Sequence, residues 1–143
     1  MAHAKILFKY DGAAPDEYEV ESIWASKCDD GYVIDNIPFY VQEIALGDVV
    51  AVQTEADGAM AFAGLVRPSG HSTIQLWFSN ERDVSSVREA LEQMGCASEG
   101  SNLSRLVAVD VPPTVSYEKV KQFLEQGAQA LTFEYQEACL GSL

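Results

Sequence analysis

The chain has 143 residues, of which 48% are apolar and 22% are charged, and 9 basic against 22 acidic side chains give a formal charge of −13. This length and composition predict a folded, compact body, either one domain or two small halves that share a core. The negative charge argues against nucleic acid and anionic membrane surfaces as partners, because binding to either needs basic side chains.

The beginning of the chain and its cysteines indicate where the protein works. Residues 1–5 lack the apolar stretch of a signal peptide, and no apolar run approaches the ~20 residues of a membrane span. We therefore expect a cytoplasmic protein. Cys28, Cys96 and Cys139 are widely spaced and only two histidines accompany them, so we expect reduced thiols, no metal site and no cofactor.

Residues 1–66 alternate between apolar and polar side chains in short segments, which is typical of strands. The strands are predicted to begin at Lys5, Tyr18, Tyr32, Val49 and Met60. Asp30-Gly31 and Asp57-Gly58 are typical hairpin turns, because glycine readily takes the positive φ that such turns need. Five short strands joined by tight turns predict a small antiparallel barrel.

Residues 67–143 change to a mixed pattern. The predicted segments are a strand at 72–78, a helix from 83, a loop or weak edge strand at 97–104, a strand at 105–111, a helix from 116 that ends at Gly127, and a strand at 130–138. This βαββαβ order is typical of a ferredoxin-like unit. The predicted fold class is therefore α+β, with a barrel-like half (1–66) packed on a ferredoxin-like half (67–143) in one compact body.

Four segments carry a resemblance to a known family. They are Asp-Asn-Ile-Pro-Phe at 35–39, Gly-Asp-Val-Val at 47–50, Ser-Gly-His-Ser-Thr at 69–73 and Ala-Val-Asp-Val-Pro-Pro at 108–113. Together they resemble a family of small stand-alone bacterial proteins described as a domain of unknown function. The resemblance runs from about Glu21 to about Glu137. It implies a bacterial source and a shared fold, and it implies no activity, cofactor or catalytic residue.

The segment richest in chemistry is 67–73, which combines a cation, an imidazole, three hydroxyls and a glycine. Its candidate residues are Arg67, Ser69, Gly70, His71, Ser72 and Thr73. Arg67 and the backbone amides around Gly70 would bind an anionic ligand, and His71 would act as an acid or a base. The alternative is structural: the segment is a turn whose polar groups satisfy backbone amides between the two halves.

Asp110 is unusual because it interrupts an otherwise apolar strand. A carboxylate in such a strand must face solvent or find a donor, such as Arg105 or Arg67. A Ser–His–Asp triad is not favoured, because Ser72 and His71 are neighbours on a strand and face opposite sides. We therefore predict no catalytic residue and favour a protein that is not an enzyme.

The leading hypothesis is a non-catalytic acidic binding protein for a basic partner, for example an immunity-type inhibitor of a toxin domain. Its predicted contact face consists of Glu19, Glu21, Asp29, Asp30, Phe39 and Tyr40, with Trp24 or Tyr32 as further aromatic anchors. The alternative is a protein, or a minor enzyme, that binds an anionic small molecule at 67–73. A third possibility is a homodimer formed through an open sheet edge.

Overall fold

The computed structural model describes residues 3–141, which form nine strands and two α-helices. The elements are β1 (His3–Asp11), β2 (Tyr18–Cys28), β3 (Gly31–Ile34), β4 (Val49–Thr54), β5 (Met60–Arg67), β6 (Ser72–Phe78), α1 (Val84–Gln93), β7 (Ala97–Gly100), β8 (Leu106–Val111), α2 (Tyr117–Gln129) and β9 (Phe133–Cys139). Residues 1 and 2, on which the signal-peptide prediction partly rests, lie outside the described residues.

The first five strands form a closed barrel. Neighbours along the chain pair antiparallel, and β5 closes the barrel by pairing in parallel with β1, where Met60 lies opposite Ile6. Alternate side chains of these strands point inward, because successive residues of a strand face opposite sides. The barrel core consists of Ile6, Phe8, Ile23, Ala25, Ile34 and Val50, with Val41 and Ile44 from the β3–β4 loop.

The other four strands form an antiparallel sheet in the order β7-β8-β6-β9. Both helices place an apolar stripe on one face of this sheet. The stripes consist of Val87 and Leu91 on α1, and Val120 and Leu124 on α2. The opposite face of the sheet packs on the β3–β4 loop, where the Thr73 hydroxyl donates to the carbonyl of Ile44 at 3.0 Å.

Two glycines have roles that differ from the predicted ones. Gly31 does not have a positive φ; a Cβ at this position would overlap the carbonyl oxygen of Val50, so glycine allows β3 and β4 to approach. Gly127 does not end a helix, because α2 continues to Gln129. The Phe133 ring fills the space that a Cβ at Gly127 would occupy.

The predicted fold class, α+β with a barrel-like half packed on a ferredoxin-like βαββαβ half, is wrong. Strand makes up 45% of the structure and helix 19%, in two mostly antiparallel sheets with two helices. The chain is therefore a mostly antiparallel β protein. The two helices cover only one face of the second sheet, and a loop packs on its other face. The first sheet closes on itself without a helix, so most of the regular structure is strand. The division into residues 1–66 and 67–143 stays a prediction.

Candidate functional site

The predicted site segment, residues 67–73, joins β5 to β6, and its side chains do not converge on one point. Arg67 turns to the β2–β3 turn, where its Nη1 lies 2.5 Å from Oδ2 of Asp30. The hydrogen bond from Arg67 is the largest cause that holds the pKa of Asp30 below its ordinary value. The cation that was expected to bind an anionic ligand is therefore already paired with a carboxylate.

The three hydroxyls of the segment bind backbone groups. Ser69 Oγ donates to the carbonyl of Leu46 at 2.7 Å, and Thr73 Oγ1 donates to that of Ile44. Ser72 Oγ accepts a backbone N–H from the end of the chain at 3.0 Å. These contacts fit the structural interpretation of the segment, because each hydroxyl satisfies a main-chain group where the β3–β4 loop or the C-terminus passes β6.

Asp48, at the end of the same loop, is buried and acts with the segment. Its carboxylate accepts the backbone N–H of Ser69 at 2.8 Å and that of Ala45 at 3.0 Å. Gly70 follows with a φ of 88°, in the left-handed region that favours glycine. The turn from β5 to β6 is thus held by a carboxylate that the sequence analysis did not assign to the site.

His71 pairs with Asp110, for which the sequence analysis expected Arg105 or Arg67 as the donor. Its Nδ1 lies 2.8 Å from Oδ1 and 3.1 Å from Oδ2 of Asp110, which lies on the neighbouring strand β8 opposite Thr73. Asp110 is only 3% exposed, and this burial raises the pKa of its carboxyl, while the contact with His71 opposes the rise. His71, rather than Arg105 or Arg67, is therefore the donor that a buried Asp110 needs.

The contact with Asp110 determines which edge of the His71 ring is available. A carboxylate only accepts hydrogen bonds, so Nδ1 carries the hydrogen and Nε2 of the neutral ring holds a lone pair. Within the described part of the chain, Nε2 has no hydrogen-bond partner. His71 is a lining residue of a cavity of about 440 Å³, and its Nε2 lone pair is an acceptor for a hydrogen bond from a bound molecule.

The cavity beside His71, which we call the junction cavity, contains acidic groups and a thiol. Glu43 and Asp48 line it together with His71, and no Lys or Arg is among its lining residues within 3–141. Burial raises the pKa of Cys139, another lining residue, to about 11. A thiol with this pKa is protonated at neutral pH, so Cys139 is not a ready nucleophile. The cavity thus provides acceptors for a hydrogen-bond donor rather than a site for an anion.

The six residues of the predicted acidic face are not brought together. Asp29 and Asp30 follow the end of β2, whereas Glu19 and Glu21 lie near its beginning, about 25 Å away along an extended strand. Asp30 is paired with Arg67. The part of the predicted face that remains together consists of four of the six residues, Glu19, Glu21, Phe39 and Tyr40.

Glu21 positions the aromatic part of this face rather than offering a free charge. Its carboxylate accepts the backbone N–H groups of Phe39 (2.7 Å), Tyr40 (3.0 Å) and Val41 (3.0 Å). From the other side, the buried amide of Gln75 donates to carbonyls of the same loop, at 3.4 Å. The segment 38–41 is therefore clamped between β2 of the barrel and β6 of the sheet.

The clamped segment borders an open cleft of about 510 Å³ between the barrel and the sheet, which we call the aromatic cleft. Tyr10 stacks on Tyr40 with ring centroids 5.1 Å apart, and Trp77 is 44% exposed. Asp11 and Glu134 also line the cleft. Within the described residues, no Lys or Arg lines it.

The sequence analysis missed this cleft, although one signal for it was present. In β6 the residues Ile74, Leu76 and Phe78 point to the helices, so Trp77 must point to the opposite face. The alternation therefore indicates an aromatic side chain outside the helical core. That Tyr10 and Tyr40 lie across from Trp77 follows only from the folded chain.

The fold and the two cavities define a two-sheet, mostly antiparallel β protein with a polar junction and an aromatic cleft. A family model described as "Domain of unknown function (DUF4265)" matches residues 21–135. The chain belongs to this family, which confirms the resemblance seen in its sequence segments. No curated protein matches the chain.

A solved structure shares the fold. It is described as a novel crystal structure of a hypothetical protein from Neisseria gonorrhoeae. Its sequence is 24% identical to that of this chain. The match covers 99% of this chain and 97% of the solved chain, with a TM-score of 0.84. At this identity the likeness concerns the fold alone, and the bacterial source stays a prediction.

The described residues contain neither a membrane-spanning helix nor a metal-binding cluster. No helix within 3–141 is long and apolar enough to cross a membrane. Among the same residues, no group of three or more His, Cys, Asp or Glu side chains is arranged to hold a metal ion.

Proposed function

We propose that this protein is a non-catalytic binding protein of the cytoplasm that docks a basic partner in the aromatic cleft. One observation carries the proposal: exposed aromatic rings and carboxylates line this cleft, and no described Lys or Arg does. Aromatic faces attract Lys and Arg side chains, and aromatic residues in a cleft are typical anchors of protein interfaces. An immunity-type inhibitor of a basic toxin domain is one concrete form of this proposal.

The charge of the whole chain supports the same partner. A formal charge of −13 attracts a basic surface from a distance and accelerates its association. The cleft then supplies the short-range contacts, since Trp77 and Tyr40 are 44% and 37% exposed. The clamp by Glu21 and Gln75 holds Tyr40 in place before binding, which lowers the entropy that association costs.

The alternative of an anionic ligand at 67–73 has less support. Arg67 is engaged by Asp30, and the cavity beside His71 is lined by carboxylates. An anion there would be repelled rather than attracted. The homodimer also stays a prediction; β7 and β9 are the strands at the two edges of the second sheet.

A selection from a random library of displayed 12-residue peptides tests the proposal. We expect the wild-type protein to enrich peptides rich in Arg and Lys, and Trp77→Ala to lose this enrichment. Trp24→Ala is the matched control, because Trp24 is 45% exposed on the barrel and does not line the cleft. Enrichment of acidic or uncharged peptides, or equal enrichment on both variants, would contradict the proposal.

A further inference from the structure

Three cavities are adjacent, because neighbouring ones share lining residues. Tyr10 and Gln42 line both the aromatic cleft and a second cavity of about 380 Å³. Glu43 and Leu65 line both that second cavity and the junction cavity beside His71. The three cavities thus follow one another from Trp77, past Leu65, to His71, and we call this series of cavities the groove.

The middle of the groove is apolar and open. Leu65 is 47% exposed and Phe62 is 36% exposed, with the Phe62 ring stacked on Phe8 at 4.8 Å between centroids. Side chains of this size in a row favour contact with another chain.

The charges along the groove are mostly negative. Asp11 lies at the aromatic end and Glu43 in the middle. Lys9 is the one basic residue among the described lining residues of the three cavities, and its ammonium lies 4.5 Å from the centre of the Tyr18 ring. Two further carboxylates at the junction are engaged, Asp48 by backbone amides and Glu137 by Lys121.

His71 ends the groove with a hydrogen-bond acceptor of defined direction. Asp110 holds the Nδ1 edge of the ring, which leaves Nε2 as an acceptor, and His71 is a lining residue of the junction cavity. An arginine or lysine N–H, or a backbone N–H, is the kind of group that this atom would accept.

We infer that the partner binds through an extended basic segment that runs the whole groove, from Trp77 past Leu65 to His71. This inference rests on the proposed function and deepens it, because it specifies the shape of the bound segment. Charge complementarity identifies the occupant: the groove combines free carboxylates, exposed apolar side chains and an imidazole acceptor. An extended chain of nine residues spans about 30 Å, whereas three residues span about 10 Å and would fill one cavity.

Fluorescein-labelled nona-arginine and tri-arginine are the probes, and fluorescence anisotropy measures their Kd. We expect Trp77→Ala, Leu65→Ser and His71→Asn each to raise the Kd for nona-arginine about fivefold or more. His71→Asn keeps a donor toward Asp110 and removes the Nε2 acceptor. For tri-arginine, we expect an effect of Trp77→Ala alone. None of these substitutions changes the formal charge at neutral pH, so a general attraction of arginine to an acidic protein would be unaffected.

Val66→Ser and Trp24→Ala are the controls, since both side chains are exposed and neither lines the groove. If Trp77→Ala weakens nona-arginine while Leu65→Ser and His71→Asn do not, the extended path is wrong and the proposed function stands. If wild-type protein does not bind nona-arginine, or if the control substitutions weaken its binding equally, the extended path and the proposed function are both wrong.

Discussion

Nδ1 of His71 lies 2.8 Å from Oδ1 of Asp110, although the two residues are 39 positions apart in the chain. The pair joins the turn between the two sheets to the centre of the second sheet. It explains how an aspartate is tolerated in an apolar strand, because a buried carboxylate needs a donor. It also gives the imidazole one orientation, which a histidine in solvent would lack.

The first prediction concerns the hydrogen on this ring. In the wild type we expect neutral His71 to carry it on Nδ1, and in Asp110→Ala we expect the Nδ1 form to lose its predominance, because the carboxylate that selects it is gone. Two-bond ¹H–¹⁵N correlation spectra distinguish the two forms. His3, whose side chain is 60% exposed, serves as the internal reference. The same form of His71 in both proteins would contradict the assigned role of Asp110.

The second prediction concerns the clamp on segment 38–41. Glu21→Ala removes the acceptor of three backbone N–H groups, and we expect a loss of about 2–4 kcal/mol in the free energy of unfolding. Urea denaturation measures the loss. Glu19→Ala is the control: Glu19 lies on the same strand, and we expect a change within about 0.5 kcal/mol. Equal losses for the two variants would show that the clamp does not stabilise the fold.

The third prediction concerns acid. Glu137 accepts hydrogen bonds from Lys121 at 2.7 Å and from Tyr117, and these contacts, Lys121 first, hold its pKa below the ordinary 4.5. The unfolded chain therefore binds the proton more readily, so this stabilisation is fully present above about pH 4.5 and is lost as the pH falls through the folded-state pKa.

We expect Glu137→Gln to lower the free energy of unfolding at pH 7 by about 1–3 kcal/mol, with a smaller difference from wild type at pH 3. Urea denaturation at both values measures the difference. Glu134→Gln is the control on the same strand, because Glu134 is exposed. A difference that stays constant between pH 7 and pH 3 would contradict the role assigned to Glu137.

The fourth prediction concerns Gly127. In an exposed helix Gly→Ala stabilises, because alanine has the higher helix propensity. Here the Cβ would overlap the Phe133 ring, so we expect Gly127→Ala to destabilise by about 1–3 kcal/mol. Thermal unfolding followed by circular dichroism measures the change. A stabilisation by Gly127→Ala would mean that α2 moves away from β9 at little cost. Gln126→Ala on the same helix is the control that calibrates the effect of helix propensity.

Much of the local structure was predictable from the sequence. The strands from Tyr18, Val49, Met60 and Ser72 begin where the alternation predicts them, and the other predicted strands begin within three residues of the observed ones. Ser116 caps α2, as its position before an apolar stripe indicates. Gly95 follows α1 with a φ of 96°, the left-handed conformation expected at a helix end. These features depend on a few neighbouring residues, so the sequence contains the information for them.

The fold class and the roles of single polar residues were not predictable in this way. Helical and strand patterns indicate elements, but the share of β structure and the packing of a loop on the second sheet depend on contacts between distant segments. Glu21 is a charged residue of the kind usually found on the surface. Its carboxylate nevertheless accepts backbone N–H groups from a loop about 20 positions later in the chain. Arg67 was expected to bind a ligand together with His71, but its guanidinium pairs with Asp30 at the β2–β3 turn.

The sequence by itself determined the negative charge, the family, most strand and helix positions, and the outward direction of Trp77. Only the tertiary structure decided that His71 pairs with Asp110, that Tyr10, Tyr40 and Trp77 line one cleft, and that three cavities are adjacent. The physical reason is the separation along the chain over which each kind of interaction acts. Periodicity and turn chemistry act over a few residues, whereas a pair or a cleft forms where strands far apart in the chain are brought side by side.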